Sequence, residues 1–376
     1  MKFIDLDAQY QKLRGKIDEN ISNVLAHGQF VMGPEVHELE DRLARYASVK
    51  HAVTCANGTE ALLMPLMAWG VGRGDAVFTT AFSFFATAEV ISLVGATPVF
   101  VDVDAGTFNI CTEALEKEIE RVEKERTLNA KAVIAVDLFG LSADYSKISA
   151  IAARHGLKVL EDAAQSFGAS FHGKKTCGFG DAAATSFFPA KPLGCYGDGG
   201  AVFTDDDGLA ALLRSIRNHG QGADKYENKR VGLNSRLDTL QAAVLLAKLD
   251  VLDEEIKQRN HIAENYSRLL DGAARTQTIT LGATTAWAQY SVLAQSKGER
   301  AAIRGALLEA DIPTMVYYEK PLHMQGAFSG LGYAAGDFPV AEDLSGRIFS
   351  LPMHPYLEGR QIDEICRIVK RQVKKI

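Results

Sequence analysis

The sequence predicts an α/β protein, with a parallel sheet covered by helices in its larger part and a smaller C-terminal domain. Between about residue 50 and residue 205, short apolar segments alternate with amphipathic segments of helical length, which is typical of a parallel sheet with crossover helices. The chain of 376 residues also exceeds the size at which one hydrophobic core usually stops growing. Two domains, or one large domain with an appendage, are therefore expected.

The predicted strands and helices of the larger part follow one another along the chain. The strands are HAVTCA (51–56), DAVFTT (75–80), TPVFVDVD (97–104), AVIAVDLFG (132–140), LKVLEDAAQ (157–165) and GGAVFT (199–204). The helices between them are GTEALLMPLMAW (58–69), FATAEVISLVG (85–95) and YSKISAIAARHG (145–156). Strands this apolar are typical of a sheet that is buried on both faces.

The second part begins with a long helix. One helix is predicted over residues 237–270, because Leu245, Leu249, Leu252 and Ile256 recur every three or four residues. Beyond it, AWAQYSVLA (286–294), RAAIRGALLEAD (300–311) and GRQIDEICRIVKRQV (359–373) indicate a mixture of strands and helices. We predict a large domain at residues 1–245 and a small one at 246–376.

Composition excludes several classes of partner. The formal net charge of -6 gives no general attraction to nucleic acid or anionic lipid. Asp5 and Asp7 lie where a secretory signal needs an apolar core, and no apolar run reaches the roughly 20 residues of a membrane span. The five cysteines show no metal-ligand spacing. We expect a cytoplasmic protein without a nucleic-acid partner, a membrane partner or a metal.

Polar residues follow two predicted strands at the edge of the sheet where open α/β folds bind ligands. Gly58 and Thr59 lie between a strand and a helix, and free N–H groups at such a helix start suit a phosphate. The alternative is that Thr59 only caps the helix. Glu161 and Asp162 end a buried strand, and Gln165 follows. Buried carboxylates need a partner, and a structural ion pair with an arginine is the alternative to a functional role.

A single lysine lies beside a proline and a run of glycines in SFFPAKPLGCYGDGG (186–200). The apolar residues before Lys191 favour a desolvated amine with a lowered pKa, although a lysine in such a loop is more often solvated. A phosphate cradle, a buried carboxylate and a desolvated amine together fit pyridoxal phosphate, which needs a partner for its phosphate, its pyridine nitrogen and its aldehyde. Phe84 offers an aromatic face to the ring, although a core position is commoner for phenylalanine.

Eight stretches, in order along nearly the whole chain, resemble the DegT/DnrJ/EryC1/StrS family of sugar aminotransferases. They are GPEVHELE, CANGTEAL, TTAFSFFATAEVISLVGATPVFVDVD, LEDAAQSFGA, SFFPAKPLGCYGDGGA, RNHGQ, VGLNSRLDTLQAA and SLPMHP. The resemblance implies a fold type I aminotransferase that binds pyridoxal 5'-phosphate in its large domain. It also implies a mostly parallel seven-stranded sheet flanked by helices, with a smaller C-terminal α+β domain.

The same resemblance implies a role for each candidate in the cofactor site. Lys191 would form the Schiff base with the cofactor, Asp162 would pair with the pyridine nitrogen, and Gln165 would lie near O3′ of the ring. Gly58, Thr59 and Ser186 would bind the phosphate, together with Asn234 from the neighbouring subunit. The resemblance thus implies a homodimer with shared active sites.

Within the family, the sequence is most similar to the branch that transfers an amino group from L-glutamate to C3 of UDP-2-acetamido-2-deoxy-3-oxo-glucuronate, in the biosynthesis of O-antigen sugars. In MVYYEKPLH, Tyr317 stands where many relatives carry histidine, and His323 ends the stretch. Both are candidates for substrate binding. Because Tyr317 departs from the histidine of many relatives, a different nucleotide-linked keto-deoxysugar is an alternative substrate. Arg236 is a candidate for binding a carboxylate of glutamate or of a uronate sugar, the alternative being a pair with Asp238 or another acid of its own subunit.

Three other interpretations compete with transamination. A branch of the same fold dehydrates sugars, but the resemblance implies histidine in place of the lysine there, so Lys191 favours transamination. A pyridoxal phosphate-binding regulator without turnover is disfavoured, because no DNA-binding motif is visible. A nicotinamide dehydrogenase is disfavoured, because GCYGDGG precedes the predicted strand AVFT rather than a helix.

Overall fold

A computed structural model describes residues 1–224 and 226–373 of the chain. Within these residues there are twelve α-helices, none of them both long enough and apolar enough to cross a membrane. They are α1 Leu6–His27, α2 Pro34–Ala47, α3 Gly58–Ala68, α4 Ala86–Leu93, α5 Thr112–Glu125, α6 Tyr145–His155, α7 Asp207–Arg217, α8 Thr239–Leu249, α9 Leu252–Leu270, α10 Lys297–Glu309, α11 Pro339–Arg347 and α12 Gly359–Val373.

The same residues contain thirteen strands, several of them very short. They are β1 His51–Cys55, β2 Asp75–Thr80, β3 Thr97–Val101, β4 Asn129–Val136, β5 Lys158–Asp162, β6 Ser170–Phe171, β7 Lys174–Lys175, β8 Ala182–Ser186, β9 Gly200–Thr204, β10 Arg275–Thr276, β11 Ala283–Thr284, β12 Tyr290–Leu293 and β13 Ile348–Leu351. Seven of them form one large sheet in the order β1-β9-β8-β5-β4-β2-β3, in which only β9 is antiparallel to its neighbours. The predicted mostly parallel sheet is confirmed.

Helices cover both faces of this sheet, as its apolar strands predict. In β4, Ala132 and Ile134 pack with α3 and α7 on one face. Val133 and Ala135, which alternate with them, pack with α5 and α6 on the other. Because successive side chains of a strand point to opposite faces, a strand covered on both sides is apolar at every position.

The second part is built on a smaller antiparallel sheet in the order β10-β12-β13. Its core contains large side chains of α9, β12, β13 and α12, among them Tyr266, Tyr290, Phe349 and Ile365. The smaller C-terminal α+β unit that the sequence predicts is therefore present. The division at residues 245 and 246 stays a prediction, and it would fall inside α8.

The prediction of one helix over residues 237–270 is wrong, because the chain turns between α8 and α9. The N–H group of Val251 bonds to the carbonyl of Lys248 at 3.2 Å, and the dihedral angles of Val251 are φ -110° and ψ -2°. This turn lets α8 pack beside α1 and α2, while the later part of α9 enters the core of the smaller sheet. The apolar spacing continues through the turn, so periodicity alone cannot locate it.

Candidate active site

A cavity of about 590 Å³ lies at the edge of the large sheet where the parallel strands end. Its volume is within the range of small-molecule and cofactor sites. Eight of the sequence candidates line it, namely Gly58, Thr59, Phe84, Asp162, Gln165, Ser186, Lys191 and Tyr317. These residues come together because β1, β5 and β8 run in the same direction. Their carboxyl ends therefore lie at one edge of the sheet.

The start of α3 is capped by Asn57, so the alternative in which Thr59 caps it is wrong. Oδ1 of Asn57 accepts a hydrogen bond from the N–H of Glu60 at 2.8 Å, and its carbonyl accepts from Ala61. Within the described residues, the N–H groups of Gly58 and Thr59 have no protein acceptor. Both residues line the cavity, so this helix start can donate two hydrogen bonds to an anion there.

Gly58 allows α3 to begin directly against β8. A Cβ atom on Gly58 would lie 2.6 Å from Cβ of Ser186 and 2.9 Å from its Oγ. Oγ of Ser186 accepts from the N–H of Phe188 at 3.3 Å, which leaves its own hydroxyl hydrogen available to a ligand. The close approach therefore places a third donor beside the two N–H groups of the helix.

Asp162 is the buried carboxylate of the cavity. Oδ2 accepts from Oγ1 of Thr87 at 2.8 Å, and Oδ1 accepts from the N–H of Ala164 at 3.2 Å. Burial raises the pKa of Asp162, whereas these two bonds and the charge of Lys191 lower it. A carboxylate held in this way favours a cationic donor opposite it, such as a protonated ring nitrogen.

The neighbouring carboxyl group of Glu161 faces the other side of β5 and is not part of the cavity. Its two oxygens accept from the N–H groups of Cys177 and Phe179, each at 2.8 Å. Burial, followed by the charge of Asp137, raises the pKa of Glu161 well above its usual range. Neither Glu161 nor Asp162 pairs with an arginine in the described part of the chain, so the ion-pair alternative is not seen.

Lys191 lies at the tip of the loop between β8 and β9. Its N–H donates to the carbonyl of Phe188 at 2.9 Å, and its side chain lines the cavity. Burial lowers the pKa of Lys191, with the charge of Asp162 opposing the shift. A larger share of this amine is therefore neutral, and so nucleophilic, than in a solvated lysine.

Gln165 and two aromatic residues complete the rim of the cavity. Oε1 of Gln165 accepts from the N–H of Phe139 at 2.7 Å, which turns its Nε2 toward the hydroxyl of Tyr318 at 3.1 Å. Phe84 is 56% exposed and its ring centre lies 6.4 Å from that of Tyr318. An aromatic side chain left this open at a cavity mouth is available to stack on a ligand ring.

The two substrate-side candidates of the C-terminal part occupy different places. Tyr317 is half-buried and lines the cavity, and burial raises its pKa. His323 is buried outside the cavity, with Nε2 at 3.1 Å from a carboxylate oxygen of Glu342 and its ring centre 4.6 Å from that of Phe338. The structure thus separates His323 from the other candidates.

Asn234 and Arg236 do not line the cavity of their own chain. Asn234 is exposed and forms an isolated bridge with Asn218. Among the described residues Arg236 forms no ion pair with Asp238 or another acid, and its Nη1 donates to Oδ1 of Asn218 at 3.1 Å. The N–H of Ala56 donates to Oγ of Ser235 at 3.4 Å, so this loop is attached to the strand end that precedes α3.

Sequence reasoning missed several residues of the site. Asn57 and Glu60 have the spacing of a capping box, a signal that would have identified the cap. Thr87 lies one turn after Ser83, with their hydroxyl oxygens 3.2 Å apart, and carries no comparable signal. Gln289, whose buried Oε1 has no partner in the described residues, is brought to the cavity only by tertiary packing.

The residues present fit pyridoxal phosphate. Two unpaired N–H groups and a hydroxyl suit its phosphate, the buried carboxylate of Asp162 suits a protonated ring nitrogen, and the amine of Lys191 suits its aldehyde. Among the described residues, no group of three or more His, Cys, Asp and Glu side chains could hold a metal ion. The donor set therefore favours an organic phosphate with an aromatic ring.

Comparison with known proteins gives matches over nearly the whole chain. The sequence model of the DegT/DnrJ/EryC1/StrS aminotransferase family matches residues 11–370. UDP-2-acetamido-2-deoxy-3-oxo-D-glucuronate aminotransferase of Pseudomonas aeruginosa is 47% identical, covering 97% of this chain and 98% of that protein. A pleiotropic regulatory protein of Geobacillus stearothermophilus is 44% identical, covering 95% and 94%. The crystal structure of a DegT DnrJ EryC1 StrS aminotransferase from Brucella abortus has a TM-score of 0.96 at 49% identity, covering 99% of each chain.

Proposed function

Because the chain belongs to the DegT/DnrJ/EryC1/StrS aminotransferase family, we propose that it transfers the amino group of L-glutamate to the C3 keto group of UDP-2-acetamido-2-deoxy-3-oxo-D-glucuronate. It is a pyridoxal phosphate-dependent sugar aminotransferase. The relative from Pseudomonas aeruginosa supports this acceptor sugar. The observation that carries the proposal is that the amine of Lys191 and the carboxylate of Asp162 line one cavity with an unpaired helix start.

The chain's own residues bind and orient the cofactor. Pyridoxal phosphate, when bound, supplies an aldehyde that exchanges amines and a protonated ring that withdraws electrons. The N–H groups of Gly58 and Thr59 and the hydroxyl of Ser186 would hold the phosphate. Asp162, fixed by Thr87, would accept from the ring N–H and keep that nitrogen protonated. Gln165, oriented by Phe139, would donate to O3′ of the ring.

Lys191 would also transfer a proton at the reacting carbon of each substrate, in one half-reaction and then in the other. The lowered pKa of its amine allows Nζ to accept a proton from the carbon that carries the donor's amino group. The same nitrogen then returns a proton at C3 of the acceptor sugar. Histidine in this place would lack the amine that attaches the cofactor, so Lys191 supports transamination rather than sugar dehydration.

A second copy of the chain would complete each site. Asn234 is exposed, and the chain that follows it reaches Asp238, which forms an isolated bridge with Val31. Phe30 and Val31 are 47% and 51% exposed. Exposed apolar residues of this kind mark interaction surfaces. In a two-fold homodimer, Asn234 would donate to the partner's cofactor phosphate and Arg236 would bind a substrate carboxylate.

The nucleotide sugar would enter from the rim formed by Tyr317 and the C-terminal part. Tyr317 lines the cavity and would contact the sugar in place of the histidine that many relatives carry. We further propose that the reaction takes place in the cytoplasm. A UDP-linked amino-uronate as product supports a role in the supply of O-antigen and lipopolysaccharide sugars.

The test follows the absorbance of the bound cofactor through the two half-reactions. Adding L-glutamate alone should remove the absorbance band of the resting enzyme, and adding the UDP-linked 3-keto-uronate should restore it. A dTDP-linked keto-deoxysugar is the matched alternative acceptor, and restoration by that sugar alone would reassign the substrate. Binding of the cofactor with no response to any amino donor would instead support the regulator that the Geobacillus stearothermophilus relative's name suggests.

A further inference from the structure

A second buried lysine lies behind the loop that carries Lys191. Lys248, in the last turn of α8, is 1% exposed. Its Nζ donates to the carbonyl oxygen of Gly194 at 2.7 Å and lies 4.2 Å from the centre of the Tyr196 ring. Within the described residues, no carboxylate oxygen comes within 4.0 Å of this nitrogen. Both of its contacts therefore belong to the loop between β8 and β9.

A buried ammonium without a carboxylate partner is costly, and an apolar side chain of equal length would serve packing better. Burial lowers the pKa of Lys248 to about 8, while the charge of Glu255 opposes that shift. The side chain thus remains mostly a cation at neutral pH. Because the buried charge is costly, we infer that Lys248 has a role other than packing.

The loop has a first arm, residues 187–190, and a second arm, residues 192–199, with Lys191 between them. The two arms lie against each other. The N–H of Cys195 donates to the carbonyl of Phe187 at 2.8 Å. A Cβ atom on Gly194 would lie 2.5 Å from the carbonyl oxygen of Pro189, so the arms are in direct backbone contact. A shift of the second arm would therefore move the first, and with it the backbone that carries the amine.

The second arm is fixed by α8 at two points. Lys248 holds the carbonyl of Gly194, and Oε1 of Gln241 accepts from the N–H of Tyr196 at 2.8 Å. Leu193 of the loop and Leu245 of the helix also belong to the same buried core cluster. Of the two polar attachments, only that of Lys248 is fully buried, so water cannot replace it.

We propose that Lys248 is a positioning residue for Lys191. Its ammonium group holds the carbonyl of Gly194, three residues after Lys191, and so keeps the reactive amine directed into the cavity beside Asp162. Without this donor, the carbonyl of Gly194 is left buried and unpaired, and the second arm shifts so that this carbonyl can bind water. The inference rests on the proposed function, because it concerns the lysine to which the cofactor attaches.

The test measures how fast pyridoxal phosphate attaches to the apo-protein. Borohydride reduction traps the attachment, and peptide mass spectrometry locates it. Lys248→Met removes the donor but keeps the length of the side chain. Lys175→Met is the matched control, because Nζ of Lys175 lies 4.6 Å from the Tyr46 ring and 3.4 Å from the carbonyl of Gly168, away from the loop. We expect Lys248→Met to slow attachment at Lys191 about ten-fold, since small displacements of a reacting group are costly, and the control to react like wild type.

Thermal unfolding of each variant separates positioning from stability. Should Lys248→Met fail to fold, Tyr196→Leu takes its place, because loss of the ring exposes the ammonium group to water. Tyr196→Leu is expected to slow attachment as well, by a smaller factor than Lys248→Met. Attachment at wild-type rate in the folded variants, or equal slowing in Lys175→Met, would overturn the positioning role. A wild-type protein that attaches no cofactor at Lys191 would instead refute the proposed function, and the inference with it.

Discussion

Replacing Gly58 by alanine should weaken both the fold and the binding of the cofactor, because α3 begins against β8 with no room for a methyl group. The new Cβ would lie 2.6 Å from Cβ of Ser186. Carbon atoms in favourable contact lie about 3.5 to 4.0 Å apart, so the start of α3 would have to move by about 1 Å. The N–H groups that we assign to the cofactor phosphate would move with it.

The expected magnitude combines two opposing effects. Overpacking of this kind costs about 1 to 3 kcal/mol. The higher helix propensity of alanine returns up to about 1 kcal/mol, so we expect Gly58→Ala to lose about 1 kcal/mol in the free energy of unfolding. Displacement of the phosphate donors should weaken the affinity for pyridoxal phosphate about ten-fold, which corresponds to about 1.4 kcal/mol.

Urea unfolding of the apo-protein and an absorbance titration with pyridoxal phosphate measure the two effects separately. Gly15→Ala in α1 is the matched control, because nothing lies within 4 Å of a Cβ atom at Gly15. That variant should be as stable as wild type or more stable, with unchanged cofactor affinity. If Gly58→Ala behaves like Gly15→Ala in both assays, the close approach of α3 to Ser186 does not shape the phosphate site.

Three further predictions concern other parts of the account. Asp162→Asn should fold yet be nearly inactive, because an amide cannot keep the ring nitrogen protonated; a thermal melt beside a rate assay checks this, and lost stability with a retained rate would indicate a structural role. Mixing inactive Lys191→Ala with inactive Asn234→Ala/Arg236→Ala should restore activity in hybrid dimers, and no recovery despite proven subunit exchange would mean that the loop serves its own chain. Because burial lowers the pKa of Lys248 from 10.5 to about 8, the unfolded chain binds one more proton between these pH values. Stability relative to Lys248→Met should therefore rise by about 3 kcal/mol from pH 8 to pH 10.5 in urea unfolding, and a constant difference would contradict the lowered pKa.

The centre of the site could be predicted from the sequence because a parallel sheet brings distant strand ends to one edge. Gly58 follows β1 and Asp162 ends β5, and the sequence predicts both of these strands. Knowing that they are parallel is enough to place the two residues at one edge of the sheet. The sequence does not predict β8, the strand that ends at Ser186, so Ser186 is assigned to the site only through the family resemblance, and Lys191 through the chemistry that pyridoxal phosphate needs.

Other features depend on tertiary packing and have no local signal. The turn at Val251 preserves the apolar spacing on both sides, so the sequence predicts one helix where the structure has two. Gln289 and Tyr318 line the cavity although they belong to the C-terminal part, whose Leu293 and Ile348 share a core cluster with Phe100 and Val136 of the larger sheet. Lys248 looks like an ordinary lysine of an amphipathic helix, and only its contact with Gly194 reveals its place behind the loop.

The central claim, that this chain moves an amino group from glutamate to a nucleotide-linked 3-keto sugar through Lys191, is tested most directly with an isotope. The enzyme is incubated with ¹⁵N-labelled L-glutamate and UDP-2-acetamido-2-deoxy-3-oxo-D-glucuronate, and the sugar product is analysed by mass spectrometry. We expect one ¹⁵N atom in the product of the wild type and of Lys175→Met, and none with Lys191→Ala. Label transfer by Lys191→Ala at the wild-type rate, or an unlabelled sugar from a wild-type enzyme that has bound its cofactor, would contradict the claim.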